Sequence, residues 1–533
     1  MEQEHRGKIV RAAGVVSGAT LLSRILGFVR DLIIAKAFGA GTATDAFFAA
    51  FRLPNMLREL LGEGALSAAF IPVFTESFRT RGREGAWRLA WTALTLLALL
   101  LVAVSVAGIV FAPWLIRVIA PGFHTIPSKL GLAVHLTRVM FPYILFIGVA
   151  ALFMAILNSQ GHFVTPALSP SVLNIAMIGC ALYLTPYVDP PIVALAIGVL
   201  IGGIGQLLIQ IPAIWRRSRG ARWGIDVSDP AVGRITRLMT PGIAGLAITQ
   251  VNVFIGTLLA SLMGEGGISV LYYAFRLIQL PIGLFGVAIA TAAFPTMARQ
   301  AANRSLGEVG ATVAYAIRLV LFVTLPSMVG LMVFRVPIIQ LLFERGAFDR
   351  TVTLATAEVV LFYAFGLGAY VSNRILVPAF YSLQDTVTPV KIGMVAVLVN
   401  IASSLLLMRP MGLAGLALAT ALSSFVNLGL LLIALQQRLG RLNGLRIRSL
   451  VQIAGAAALM ALIALSLVHL RDPLTMESSL RRAVVLTFEL VISLTAFIVA
   501  AACMGSDELK GLLGWLIGRR RRIEGVPSGE DYH

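Results

Sequence analysis

Ser23-Arg24-Ile25-Leu26-Gly27-Phe28-Val29-Arg30-Asp31 sets two arginines and an aspartate inside the first apolar run, which extends from about Ile9 to Phe38. A run of that length crosses a bilayer as a helix, since a crossing needs ~20 residues. Charge at such depth is costly against lipid. It faces a bundle interior or a water-filled cavity and marks a substrate or ion path. At helical spacing Ser17, Thr20, Arg24 and Asp31 share one stripe, Gly27 leaves room beside it, and Arg30 points to another side.

The remaining composition agrees with a membrane setting. The 533 residues are 58% hydrophobic and 13% charged, with a mean hydropathy of +0.89, which describes a polytopic, all-α integral membrane protein. A net charge of +18 would suggest nucleic acid in a soluble chain. Here most basic residues fall in short connections between apolar runs, so the excess reports topology and no nucleic acid partner is expected. Cys180 and Cys503 lie in apolar segments, which leaves a disulfide framework, a CxxC site and a cysteine-ligated metal without support. The opening MEQEHRGK leads into a helix carrying Arg24 and Arg30, without a small-residue cleavage site; the reading is a retained first helix.

Apolar runs separated by polar or Gly/Pro breaks predict about fourteen spanning helices. They cover 9–37, 44–78, 86–112, 130–158, 166–185, 191–215, 234–263, 267–299, 308–334, 353–381, 388–408, 412–437, 449–470 and 481–503. Arginine-rich connections alternate with connections lacking Lys and Arg, such as 39–44, 185–191 and 264–267. That bias puts both termini in the cytoplasm. Arg117, Arg345 and Arg481 break the pattern, and Trp87, Trp114, Trp215, Trp223 and Trp515 fall near helix ends, where an aromatic belt belongs.

The chain repeats itself. Ala50-Phe51-Arg52-Leu53 returns as Ala274-Phe275-Arg276-Leu277 (276 − 52 = 224), and Thr165-Pro166 returns as Thr388-Pro389 (388 − 165 = 223). Two copies of a six-helix unit would share one orientation and enclose a central cavity. The expected divisions are 1–220 and 221–445 for two lobes, 446–505 for two extra helices, and 506–533 for a basic cytoplasmic tail.

Arg24, Arg52, Arg276 and Arg374 fall well inside predicted helices. A guanidinium offers a phosphate two parallel hydrogen bonds and never deprotonates, so several converging on one cavity would favour a diphosphate. The competing account is ion pairing that only holds helices together, as Arg30 with Asp31 or Asp45, or Arg58 with Glu59 or Glu63. Asp31, Asp45, Glu63 and Arg374 are candidates for gating or ion pairing. Asp45 also reads as a plain helix cap. Gly62, Gly64, Pro281 and Gly283 interrupt the paired second and eighth helices and would permit bends there. The sequence contains no His/Cys metal spacing, no Gly-x-Ser-x-Gly and no nucleotide-binding P-loop. A transporter driven by a gradient or the membrane potential fits better than an enzyme, and no cofactor is expected.

Several motifs closely resemble the MurJ (MviN) family of bacterial lipid II flippases. They are Ser23 to Asp31, Gly39-Ala40-Gly41-Thr42-Ala43-Thr44-Asp45-Ala46-Phe47-Phe48, Arg52-Leu53-Pro54-Asn55 and Glu63-Gly64-Ala65. Phe141-Pro142-Tyr143-Ile144, Ala155-Ile156-Leu157-Asn158, Tyr272-Tyr273-Ala274, Phe380-Tyr381-Ser382, Gln384-Asp385 and Thr388-Pro389-Val390-Lys391-Ile392 add to them. The resemblance implies the fold of the multidrug/oligosaccharidyl-lipid/polysaccharide exporters, with a cavity lined by Arg24, Arg30, Arg52 and Arg276. It also implies that the last two helices form a groove for an undecaprenyl tail. Phe275 stands where some members carry an acid, which removes an ion pair at that position from what the resemblance implies.

The expected activity is translocation of undecaprenyl-diphosphate-MurNAc-pentapeptide-GlcNAc, lipid II, from the inner to the outer leaflet of the bacterial cytoplasmic membrane by alternating access. Lipid II, membrane lipids and the cell-wall synthesis machinery are the expected partners. The competing readings are a flippase for another polyprenyl-diphosphate oligosaccharide and a drug or cation antiporter of the same fold. An antiporter would want carboxylates where this chain has arginines.

Overall fold

The computed structural model describes residues 2–60, 66–220, 224–440, 442, 444–470 and 478–514, with backbone alone for 2–13, 15, 60 and 241–249. The expected bend residues Gly62 and Gly64, together with Glu63, lie outside the described residues. Among those described there is helix and turn and no strand. Two compact units emerge, Met1–Val270 with Arg345–Asp349, and Leu271–Glu344 with Arg350–His533.

In the first unit the helices are α1 (Glu2–Phe38), α2 (Thr42–Leu60), α3 (Leu66–Thr80), α4 (Gly82–Val110), α5 (Ala112–Ile119), α6 (Pro127–Met140), α7 (Tyr143–Ser159), α8 (Val164–Gly179), α9 (Val193–Leu208), α10 (Ile211–Ser218) and α11 (Pro230–Ser261). Its core lies between α3, α4 and α7, where Phe70, Phe74, Trp87, Leu152 and Ile156 are buried together. A second cluster joins Leu53 of α2 to Leu101, Phe141 and Ile144. The Asp229 side chain caps the start of α11 by accepting the Ala231 N–H at 2.9 Å, with Pro230 following in the first helical position. Gly39 turns α1 into α2 at φ 64°, and a Cβ there would lie 2.3 Å from the Ala347 carbonyl oxygen, so only glycine fits.

The remaining helices are α12 (Gly267–Pro281), which crosses the boundary between the units, α13 (Val287–Ala302), α14 (Leu306–Val333), α15 (Arg335–Leu342), α16 (Arg350–Phe365), α17 (Leu367–Ser382), α18 (Val387–Leu439), α19 (Ile447–His469) and α20 (Ser479–Cys503). In the second unit α19 and α20 pack on α14 through Phe322, Ile453, Met460 and Phe497. α18 is broken at Gly412, whose φ of 56° and ψ of −131° are not helical. A Cβ on Gly415 would meet the Leu407 carbonyl oxygen at 2.3 Å, so the chain doubles back there and α18 supplies two of the expected segments.

Nine spans among the described residues are long and apolar enough to cross a membrane, or ten with the pair α16–α17 bent by 44°. Length and apolarity alone therefore do not reach the fourteen that hydropathy predicts. Arg24, Arg30 and Asp31 lie on α1, Arg52 on α2 and Thr257 on α11.

The internal repeat extends to element bounds and hydrogen bonds. α5 and α15 keep one offset at both bounds (335 − 112 = 223 and 342 − 119 = 223). The ends of α7 and α17 (382 − 159 = 223) and the starts of α8 and α18 (387 − 164 = 223) keep it too. The turn before α8 has Gly161 at φ 73°, and the turn before α18 has Gln384 at φ 59°. His162 N–H donates to Leu157 O in the first turn, and Asp385 N–H to Phe380 O in the second, at that same offset (385 − 162 = 223).

Candidate functional site

The charged stretch on α1 divides into two kinds of residue. Arg24 is exposed, on the stripe with Ser17 and Thr20. Arg30 is tied down instead: its Nε and Nη2 reach Asp31 Oδ1 at 3.0 and 2.7 Å, and its Nη1 donates to Asn174 Oδ1 on α8 at 3.1 Å. Asn174 Nδ2 donates back to the Ser23 carbonyl, so this knot fastens α1 to α8. Asp31 is fully buried, and the Arg30 guanidinium is paired with it.

On α2 the half-buried Arg52 donates from Nε to Thr257 Oγ1 of α11 at 3.1 Å. Two helical turns further, Glu59 Oε2 accepts from Gln250 Nε2 of the same helix, Glu59 Oε1 from Asn55 Nδ2, and Asn55 Oδ1 from Arg58 Nε. Arg58 and Glu59 also form a looser ion pair at 3.7 Å. Beyond the undescribed 61–65, Glu76 pairs with Arg234 and Arg81 with Asp229. Burial pushes the Asp229 carboxyl up, but the Arg81 guanidinium and the Ala231 N–H outweigh it and hold it below the usual carboxylate range.

Asp45 occupies the first turn of α2, but the helix it caps is another. Its Oδ1 accepts the Ser269 N–H and Oγ–H at 2.8 and 2.6 Å, and its Oδ2 accepts the Gly266 N–H at 2.8 Å, all at the start of α12. Lys129 of α6 completes the set with Nζ 2.7 Å from Oδ2, stacked 4.5 Å from the centre of the Phe123 ring. The favour is returned at the start of α2, where Glu265 Oε1 accepts the Thr42 N–H and hydroxyl at 3.0 and 2.7 Å. Those two bonds lower the Glu265 carboxyl below its ordinary value, the hydroxyl contributing most. An anion at a helix start meets unpaired N–H groups and the positive end of the dipole, and here each helix start receives one.

In the second unit Arg276 is half-buried on α12 with Nη1 3.2 Å from Gln279 Oε1, and Arg374 is exposed on α17. Pro281 ends α12, and Gly283 sits in the wider helical turn Ile282–Gly286 that joins it to α13. Prolines and single wide turns of that kind are both common causes of a helix kink.

Sequence reasoning misses Lys129, Glu265, Ser269, Thr257 and Gln250. A signal exists for Lys129, a lone lysine just before a predicted helix, at the end where basic residues are scarce. Another exists for Ser269, which follows Asp45 at the offset of the Arg52 and Arg276 motif (269 − 45 = 224).

A family model described as lipid II flippase MurJ matches residues 34–486. The chain belongs to the lipid II flippase MurJ family. The lipid II flippase MurJ of Burkholderia cenocepacia is 35% identical over 458 residues, covering 85% of this chain and 89% of that one. A probable lipid II flippase MurJ of Vibrio cholerae is 37% identical over 433 residues, 80% of this chain and 82% of that one. Among solved structures, lipid II flippase MurJ in an inward closed conformation superposes with a TM-score of 0.77 at 27% identity, covering 93% of this chain and 99% of that one. An inward-facing multidrug resistance MATE transporter, with a TM-score of 0.65 and 16% identity over 81% of this chain and 99% of that one, shares the fold alone.

Proposed function

We propose that this chain is a lipid II flippase of the bacterial cytoplasmic membrane, a transporter and not an enzyme. The observation that carries the reading is the family match over 34–486, on a multi-pass helical chain with arginines on α1, α2 and α12. Lipid II moves from inner to outer leaflet, its diphosphate gripped by Arg24, Arg52 and Arg276 while the polyprenyl tail stays in lipid. The exposure of Arg24 and the half-burial of Arg52 and Arg276 support this assignment. Arg30 leaves the cargo-binding set, because its guanidinium is committed to Asp31 and Asn174. Arg374 keeps an accessory place.

Residues 1–220 and 221–445 are the two copies of the repeat, a division supported by the common register of their elements. α19 and α20 hold the undecaprenyl tail, supported by exposed apolar side chains such as Leu462, Leu465, Phe488 and Val491. Both termini are cytoplasmic, as the arginine-rich connections argue, and the cell-wall synthesis machinery is the natural partner downstream. Net movement requires the cargo to bind the two states of the cycle with different affinity.

The test replaces a host's sole lipid II flippase with this chain and follows lipid II in the outer leaflet alongside growth. Lipid II at the outer surface with growing cells is the expected result. Well-inserted protein without either would favour another polyprenyl-diphosphate glycan, which the same assay detects with that host's lipid.

A further inference from the structure

The polar bonds between α2–α3 and α11 follow one register. Arg52 meets Thr257, Glu59 meets Gln250, Glu76 meets Arg234 and Arg81 meets Asp229. In every pair the two residue numbers add to 309 or 310. The two strips therefore run antiparallel as a pair of rails, joined by polar rungs from within the apolar span to its end. Apolar side chains flank the rungs, with Phe254 against the Leu53 cluster and Ile235 against the Phe70 cluster. The contacts inside the α3–α4–α7 core are of the opposite kind, aromatic and aliphatic throughout.

A hydrogen bond made on one surface is replaced by a bond to water when that surface parts, so a rung costs little net free energy to open. An ion pair at the exposed end behaves likewise. A buried aliphatic contact has no such replacement. The α2–α11 rungs are accordingly contacts that a parting seam exchanges for water. In the rung nearest the cargo arginines the Arg52 guanidinium donates to the neutral Thr257 hydroxyl. A phosphate oxygen is the stronger acceptor for that guanidinium.

We infer that Thr257 and Gln250 are positioning residues of the transport cycle. In the zipped seam they hold Arg52 and Glu59. When the seam parts, Arg52 exchanges the Thr257 hydroxyl for an anionic oxygen of the cargo. This rests on the flippase reading and supplies the affinity difference that reading needs: the zipped state binds diphosphate weakly because its arginine is occupied, and the parted state binds it well.

The test measures equilibrium binding of lipid II to purified full-length protein in lipid nanodiscs. Thr257→Val removes the competing acceptor, and binding tightens by about tenfold, the scale of one hydrogen bond to a charged group. Thr257→Ser restores the wild-type value, which a loss of packing alone would not do. In a background with Cys180→Ala and Cys503→Ala, Glu76→Cys and Arg234→Cys are joined by a short thiol-reversible linker. Flipping in proteoliposomes stops and returns on reduction. Unchanged binding in Thr257→Val, or full flipping with the rails joined, overturns the inference while leaving the flippase reading intact. A wild-type protein that neither binds nor flips lipid II overturns the flippase reading itself.

Discussion

The Lys129 ammonium lies 2.7 Å from Asp45 Oδ2, with side chains only 1% and 0% exposed, and it is the sole cation on a carboxylate that also holds the start of α12 among the described residues. Removing one partner of such a pair strands the other charge, at a cost of about 3–5 kcal/mol. Lys129→Met should therefore lower the melting midpoint in detergent markedly, and adding Asp45→Asn should recover part of the loss. A single variant that melts with wild type would show that the three donors from Gly266 and Ser269 suffice without the cation.

Arg24 and Arg30 should part company on mutation. Arg24→Gln should leave thermal stability within about 0.5 kcal/mol, as exposed substitutions do, and abolish lipid II transport. Arg30→Gln should destabilise by about 3 kcal/mol or more, because it removes a cation paired with the buried Asp31 carboxylate. Arg30→Gln with Asp31→Asn should regain stability. The measurements are melting midpoint and flipping rate on the same preparations. Equal stability losses at both positions would refute the division.

His162 sits in the turn before α8, held below its ordinary value first by burial and then by the Arg217 charge. With the folded value depressed, the unfolded chain takes up the proton first as pH falls through about 6.5. The stability owed to neutral His162 is complete above that pH and shrinks as pH drops toward the folded value. Wild type should lose more melting temperature between pH 7.5 and 5.5 than His162→Gln. Parallel losses would assign the acid sensitivity elsewhere.

The repeat offers a stabilising substitution at the same place. Asp385, at the matching position of the second copy, accepts the Val387 and Thr388 N–H groups at 3.0 Å each and pairs with Arg438 at 2.7 Å. In the first copy Phe163, the residue before α8, makes no side-chain cap. His162→Asp should add such a cap, worth about 1 kcal/mol, with Arg217 to hand. A lower melting midpoint at pH 7.5 would mean the two turns differ more than their backbones do.

Hydropathy locates the helices because a bilayer demands long apolar runs, and the repeat is legible because Arg52 and Arg276 keep their apolar neighbours. Arg30 stays ambiguous in the sequence because its second partner, Asn174, lies 144 residues away and no periodicity links them. Asp45 reads as a cap for α2 because capping is a local rule, whereas the helix start it serves lies in the other copy of the repeat, at Ser269. Thr257 and Gln250 carry no charge and fall in a long predicted helix, so only the antiparallel register of α2–α3 with α11 brings them forward.

Asp45 and Ser269 are equivalent positions of the duplicated sequence, and they touch. In a dimer of two identical half-length chains, such a contact would set each residue against its own copy: carboxylate against carboxylate, or hydroxyl against hydroxyl. The first pairing repels, and the second lacks the anion that a helix start attracts. Joining the halves in one polypeptide frees the two positions to differ, so a single chain can hold an acceptor facing a donor where a symmetric ancestor could not.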